Sequence, residues 1–152
     1  MAIIWLTGQP KSGKTTLALH VEALLGSRCK AVIDGDDIRK GSTNVDYSKE
    51  GRLNNIKLAQ QLAVEYEEST TDPGKFVIVS VVAPYRKMRE EFKSKHNVYE
   101  IYLFSDRVDN NNVSDYEPPL SNALFLNTSR YGIELCAKRI INFCGVPEQE
   151  QP

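Results

Sequence analysis

Cysteine and histidine are scarce in this chain of 152 residues, which has three cysteines and two histidines. The cysteines form no C-x-x-C pair, and both histidines are distant from them in the sequence. This pattern excludes a disulfide framework and gives no support to a zinc site. We therefore expect reduced cysteines in a cytoplasmic protein.

Long apolar runs and an excess of charge are also lacking. No stretch approaches the roughly 20 apolar residues that span a membrane, and no signal peptide precedes the first apolar run at 2–7. The net charge is −1, so no global positive field would attract nucleic acid. No N-K-x-D guanine motif, internal repeat or linker occurs. We expect a single domain over 1–152 with neither a membrane nor a nucleic-acid partner.

The chain does contain G-x-x-x-x-G-K-T at 8–15, the spacing of a phosphate-binding P-loop. An apolar run of strand type precedes it, and apolar residues at helical spacing follow it. Lys14 is predicted to reach the terminal phosphates of ATP, and the Thr15 hydroxyl is predicted to bind Mg²⁺. The predicted nucleotide-binding residues are Gly8, Gln9, Pro10, Lys11, Ser12, Gly13, Lys14, Thr15 and Thr16.

Apolar runs alternate with amphipathic segments along the whole chain. This order predicts an α/β three-layer fold of the P-loop kinase type, with a five-stranded parallel sheet flanked by helices. The polar stretches 38–48 and 105–123 are predicted to be loops, and the second is interpreted as a lid or a disordered segment. The predicted strands are 2–7, 31–33, 76–82, 99–104 and 124–126, and the predicted helices follow the P-loop and cover 52–66, 85–95 and 133–144.

Acidic residues follow the second predicted strand, at the sheet edge where ligands gather. Asp34 and Asp36 can bind the waters of Mg²⁺ or accept the proton of an acceptor hydroxyl. The alternative is that they form a turn or cap a helix. We favour catalysis, and predict Lys14, Asp34 and Asp36 as catalytic residues, with Thr15 and Asp34 at the metal.

Arginines near the same edge are candidates for binding anions. Arg39 and Arg52 can offer a planar fork to phosphate or sulfate oxygens, with Asn55 beside them. The alternative for each arginine is a solvated surface charge. The charged stretch 86–91 is interpreted as a solvated helix face.

Four segments resemble the adenylylsulfate kinase (APS kinase) family of sulfate assimilation. They are WLTGQPKSGKTTLA at 5–18, DGDDIRKG at 34–41, YSKEGRLNNIKLAQQLA at 47–63 and VIVSVVAPYRKMREEF at 77–92, and DYEPP at 115–119 resembles a later one. The resemblance implies transfer of the γ-phosphoryl group of MgATP to the 3′-hydroxyl of adenylyl sulfate, giving PAPS and ADP. The substrate-binding residues that it implies are Asp36, Arg39, Tyr47, Arg52, Asn55, Pro84 and Tyr85.

The chain departs from the family pattern at several positions. Asp37 replaces an asparagine, Gly51 an acidic residue and Ala83 a serine, and the family's basic lid segment is missing. Two alternatives therefore stay open: a P-loop kinase for another hydroxyl acceptor (a nucleoside, nucleotide or modified base), or an ATP-binding module without catalysis. A small-molecule nucleotide is the expected partner, and a homodimer is a further expectation.

Overall fold

The computed structural model describes residues 1–40, 48–106 and 113–146, without the side chains of Arg39 and Lys40. Strands and helices alternate along the described chain. The elements are β1 (Ala2–Gly8), α1 (Lys14–Leu25), a 3₁₀ turn (Gly26–Arg28), β2 (Cys29–Asp34), α2 (Gly35–Lys40), α3 (Lys49–Ser69), β3 (Phe76–Ser80), α4 (Arg86–Lys95), β4 (Val98–Phe104), β5 (Ala123–Asn127) and α5 (Ile133–Phe143).

The five strands form one parallel sheet in the order β2-β3-β1-β4-β5. All seven residues of β1 are buried, because the strand lies at the centre of the sheet and both of its faces are covered. The parallel register brings the carboxyl ends of β1, β2 and β3 to one edge, where Leu6 and Asp34 both pair with Ser80. Ligands of such sheets bind at this edge.

Helices cover both faces of the sheet. Ile4 and Leu6 of β1 pack with α1 and α5 on one face, whereas Ile3 and Trp5 pack with α3 and α4 on the other. This alternation follows from the two-residue period of side chains along a strand. The prediction of a five-stranded parallel sheet flanked by helices is confirmed. Among the described residues, no helix is both long and apolar enough to cross a membrane.

The predicted boundaries differ from the structure at the functional edge. Residues 38–40 were predicted to be part of a loop, but they belong to α2, which begins directly after β2. The third strand ends at Ser80 instead of residue 82. Beyond it, Ala83 has a φ of 46°, a left-handed conformation that turns the chain away from the sheet.

A buried ion pair contradicts the prediction that 86–91 forms a solvated helix face. Arg89 is 5% exposed and Glu100 is 2% exposed. The Arg89 Nε donates to Glu100 Oε2 at 2.7 Å, and Lys93 Nζ donates to Glu100 Oε1 at 2.8 Å. Arg89 Nη1 also donates to the Ala83 carbonyl at 2.7 Å. These bonds join α4 to β4 and to the chain that follows β3.

Candidate active site

The P-loop connects β1 to α1 through two glycines that no other residue could replace without strain. A Cβ on Gly8 would lie 2.4 Å from the carbonyl oxygen of Leu103 on the neighbouring strand. Gly13 has a φ of 99° and stands at the N-cap of α1. The loop can therefore pass close to β4 and open its backbone N–H groups toward the start of α1.

Lys14 is the buried cation of this loop, with 8% of its surface exposed. Its Nζ donates to the carbonyl oxygens of Gly8 at 3.1 Å and Gln9 at 2.8 Å. Burial lowers the pKa of Lys14 from 10.5 to about 8, and the nearby carboxylates of Asp36 and then Asp34 partly offset this effect. The ammonium group is thus held where an anion from a ligand would stabilise its charged form.

Thr15 and Asp34 lie in direct contact where α1 faces the end of β2. The Thr15 hydroxyl donates to Asp34 Oδ2 at 2.8 Å, and the Asp36 N–H donates to Asp34 Oδ1 at 2.8 Å. Asp34 therefore also stabilises the start of α2, so the two alternatives considered for this carboxylate are compatible. A hydroxyl oxygen, as in Thr15, and a carboxylate oxygen, as in Asp34, are both ligands that suit Mg²⁺.

Few side chains are available for this metal ion. The described residues contain no group of three or more His, Cys, Asp or Glu side chains able to hold a metal. Thr15 and Asp34 fit Mg²⁺ nevertheless, because this ion keeps several waters and uses one or two protein oxygens together with phosphate oxygens.

A cleft of about 880 Å³ opens at the carboxyl edge of the sheet. It joins the P-loop, the end of β2, the start of α3 and the chain after β3. Most of the predicted site residues line it: Pro10, Lys11, Gly13, Lys14, Thr15, Thr16, Asp34, Asp36, Arg52, Asn55 and Pro84.

A few predicted site residues do not line this cleft. Gly8, Gln9, Ser12 and Tyr85 are not among its lining residues, although the Gly8 and Gln9 carbonyls bond Lys14 and the Tyr85 hydroxyl bonds Arg52. Tyr47 and the side chain of Arg39 lie outside the described residues.

The predicted acceptor residues Arg52 and Tyr85 meet a residue that the sequence analysis did not select. Arg52 Nη2 donates to the Tyr85 hydroxyl at 3.1 Å and to both carboxylate oxygens of Asp115 at 3.3 Å. The Tyr85 hydroxyl donates to Asp115 Oδ2 at 3.0 Å. The pKa of Arg52 is raised, first by its hydrogen bond to Tyr85 and then by the Asp115 carboxylate.

Residues 113–119, which we call the strap, cross the end of the sheet in an ordered arrangement. The Gln9 side chain pairs with the backbone of Val113 through bonds of 3.0 and 2.7 Å. The Tyr116 hydroxyl lies 2.7 Å from the Thr7 hydroxyl, and the Glu117 N–H donates to the Pro84 carbonyl at 2.8 Å.

Of the two interpretations of 105–123, a disordered segment does not fit the strap, which these hydrogen bonds hold in place, whereas 107–112 lie outside the described residues. Tyr116 also stacks on Tyr102 at 5.8 Å, and burial raises the pKa of its phenol well above its ordinary value. A polar composition was a poor signal here, because the polar side chains of the strap find partners on β1, on α3 and on the chain after β3.

Several residues at the cleft were not among the predicted site residues. Val113 and Ser114 line it, and Asp115 contacts Arg52 at its rim. Ser80 also lines the cleft, and within the described part of the chain its buried hydroxyl has no hydrogen-bond partner. The resemblance of DYEPP to a family segment was the available signal for the strap, whereas nothing in the sequence singles out Ser80.

Comparisons with known proteins identify the family of this chain. The family model for adenylylsulphate kinase matches residues 1–112. The chain is 30% identical over 168 aligned positions to an adenylyl-sulfate kinase of Acaryochloris marina, covering 93% of this chain and 80% of the relative.

Solved structures share the fold. The hexameric APS kinase of Thiobacillus denitrificans superposes with a TM-score of 0.73 at 26% identity, covering 93% of this chain and 28% of that chain. The APS kinase of Mycobacterium tuberculosis in complex with AMPPNP and APS superposes with a TM-score of 0.74 at 20% identity, covering 94% and 96% of the two chains. The fold is thus that of P-loop kinases, and the match over 1–112 means that this chain belongs to the adenylylsulphate kinase family of ATP-dependent kinases.

Proposed function

We propose that the protein transfers the γ-phosphoryl group of MgATP to the 3′-hydroxyl of adenylyl sulfate, giving PAPS and ADP. One observation carries the proposal: one cleft of about 880 Å³ is lined by Lys14, Asp34 and Asp36 together with Arg52. Phosphoryl transfer needs positive charge at the phosphates, a carboxylate near the acceptor hydroxyl and a rigid site for the acceptor. Membership of the family supports the same reaction.

On the ATP side, the P-loop would bind the phosphates through its backbone N–H groups and the N-terminus of α1. Lys14 would exchange its bonds with the Gly8 and Gln9 carbonyls for phosphate oxygens, which raises its lowered pKa and keeps it charged. Thr15 and Asp34 would hold Mg²⁺, which neutralises charge on the β- and γ-phosphate oxygens when it is bound.

On the acceptor side, Asp36 would orient the hydroxyl and accept its proton. Arg52 would bind an anionic group of adenylyl sulfate, with Asn55 one turn along the same face of α3. Pro84 lines the same cleft, and Tyr85 supports Arg52 through its hydroxyl. Ala83 has no hydroxyl that could carry a phosphoryl group, so the proposed transfer is direct.

The test is an ADP-release assay with MgATP and a panel of hydroxyl acceptors that includes adenylyl sulfate, adenosine and nucleotides. Mass spectrometry of the products identifies the phosphorylated acceptor. We expect adenylyl sulfate to give the highest kcat/KM, with PAPS and ADP formed in equal amounts. Turnover with another acceptor but none with adenylyl sulfate would refute the proposed substrate, and no turnover with any acceptor would favour an ATP-binding module.

A pair of variants on α3 separates the acceptor site from general charge effects. Arg52→Ala should raise the KM for adenylyl sulfate far more than the KM for ATP. Lys57→Ala is the matched control, because Lys57 is an exposed cation on the same helix and does not line the cleft. Equal changes in the two KM values of Arg52→Ala would argue against the assigned role of Arg52.

The cytoplasmic location and the homodimer are also parts of this proposal. The three cysteines are free thiols, as expected for a reducing compartment. The hexameric relative supports an assembly of more than one copy. Sedimentation velocity across a range of protein concentrations tests self-association, and a monomer throughout would contradict it.

A further inference from the structure

We propose that Asp115 determines acceptor specificity by occupying the anion-binding face of Arg52, so that an anionic acceptor binds only by displacing its carboxylate. This inference rests on the acceptor role proposed for Arg52. It concerns a residue that the sequence resemblance leaves without a role.

The Asp115 carboxylate lies where an anionic group of a ligand would bind to Arg52. Arg52 Nη2 reaches both oxygens of Asp115 at 3.3 Å, and the Tyr85 hydroxyl donates to the same carboxylate at 3.0 Å. A guanidinium group offers the same N–H donors to carboxylate, phosphate and sulfate oxygens. Asp115 and an anionic group of the acceptor would therefore compete for the same donors.

The strap holds the backbone of Asp115 near Arg52. Val113 is bonded to Gln9 of the P-loop before it, and Tyr116 contacts Thr7 directly after it. These contacts are independent of Arg52, so they keep the carboxylate at a high local concentration beside the guanidinium group.

The side chains nevertheless leave room for displacement. The side chain of Asp115 is 42% exposed and that of Arg52 is 23% exposed. The carboxylate can therefore rotate into water without uncovering the core or releasing the strap. Exposed ion pairs are weak, which makes the competition a matter of affinity rather than a complete block.

The direction of the effect follows from charge. Asp115→Asn removes the negative charge that neutralises Arg52 but keeps the size of the side chain. We expect the KM for adenylyl sulfate to fall by about two- to fivefold, the range that the loss of one exposed competing pair allows. The kcat and the KM for ATP should not change, because Asp115 does not line the part of the cleft formed by the P-loop.

The experiment measures both kinetics and binding. Steady-state assays give KM and kcat for adenylyl sulfate, and calorimetric titration of the ADP-bound enzyme with adenylyl sulfate gives the dissociation constant directly. Asp106→Asn is the matched control, because Asp106 belongs to the same predicted loop and contacts Asn127 instead of Arg52. Its constants should equal those of the wild type.

A double variant separates competition from indirect effects. In the Arg52→Ala background, Asp115→Asn should give no further gain in affinity, because there is no longer a guanidinium group to release. An equal gain with and without Arg52 would overturn the proposal. A second variant, Asp115→Ala, should reproduce the tighter binding if the result depends on the lost charge and not on the new amide.

The outcomes distinguish this inference from the proposed function. Turnover of adenylyl sulfate with an unchanged or raised KM in Asp115→Asn would overturn the competition and leave the proposed reaction intact. Absence of both turnover and binding of adenylyl sulfate in the wild type and all variants would overturn the proposed substrate, and this inference with it.

Discussion

Replacing Lys14 with methionine removes a buried charge but keeps the length of the side chain. Burial lowers the pKa of Lys14 from 10.5 to about 8. Since one pH unit corresponds to 1.36 kcal/mol, the charged form destabilises the fold by about 3 kcal/mol relative to the neutral form. The variant also loses the bonds to the Gly8 and Gln9 carbonyls, at about 1 kcal/mol each.

The balance favours the variant in the absence of nucleotide. The free energy of unfolding should rise by about 1 kcal/mol at pH 7, which corresponds to an increase in Tm of about 2–4 °C for a domain of this size. Without nucleotide, the protein with Lys14 is thus predicted to be less stable than the variant with an apolar side chain at this position.

The pH dependence has a definite sign. Between pH 8 and 10.5 Lys14 is largely neutral in the folded protein and still protonated in the unfolded chain. The unfolded state then binds more protons, so this site makes the wild type more stable as pH rises. The advantage of Lys14→Met should therefore be full below pH 8 and shrink toward pH 10.5.

Thermal unfolding of both proteins at pH 7 and pH 9.5, with and without MgATP, is the assay. MgATP should raise the Tm of the wild type and leave that of Lys14→Met nearly unchanged, because a ligand of the native state stabilises it by mass action. A variant that is less stable than the wild type at pH 7 without nucleotide would refute the reasoning on burial. An equal gain from MgATP in both proteins would refute the role of Lys14 in binding phosphate.

Three further predictions concern single positions. Asp36→Asn should lower kcat by about 10²–10⁴-fold with little change in ATP affinity, as single-turnover and binding measurements would show; an unchanged kcat would exclude Asp36 as the base. Gly8→Ala should abolish ATP binding or folding, because its Cβ would lie 2.4 Å from the Leu103 carbonyl, whereas Gly132→Ala, which meets nothing within 4 Å, is the control in the same thermal-shift assay. Glu100→Gln should lower the free energy of unfolding by about 3–5 kcal/mol, because Arg89 and Lys93 lose their counter-ion. Urea denaturation measures this change, and a loss below about 1 kcal/mol would contradict the prediction.

The predictions that depended on local patterns agree with the structure. The apolar runs became the five strands, since a strand covered on both faces must be apolar nearly throughout. The P-loop spacing located its glycines at a strand-to-helix turn, because the backbone of such a turn restricts the residue type directly. Among the predicted strands and helices only the ends moved, as with α3, which begins at Lys49 after its Ser48 cap and not at Arg52.

The predictions from polar composition failed in two segments. Arg89 was interpreted as exposed because its neighbours along α4 are charged, yet it is buried against Glu100 of the following strand. Residues 38–40 were assigned to a loop because they are polar, yet they continue the short helix that Asp34 initiates. Glu100 cannot be recognised as the partner of Arg89 from the residues around Arg89, whereas the bond from the Asp36 N–H to Asp34 is a local signal that the polar composition obscured.

The sequence by itself determined the sheet, the P-loop and the edge of the sheet at which a ligand is expected. The reason is that hydrophobic period, glycine geometry and strand direction are local properties of the chain. Only the tertiary structure decided what faces Arg52. Asp115 is 63 positions away from Arg52, and the two meet because the strap is bonded to Gln9 and Thr7 at the end of the central strand. A carboxylate at that separation in the sequence can become the proposed competitor of an anionic ligand only when folding brings it to Arg52.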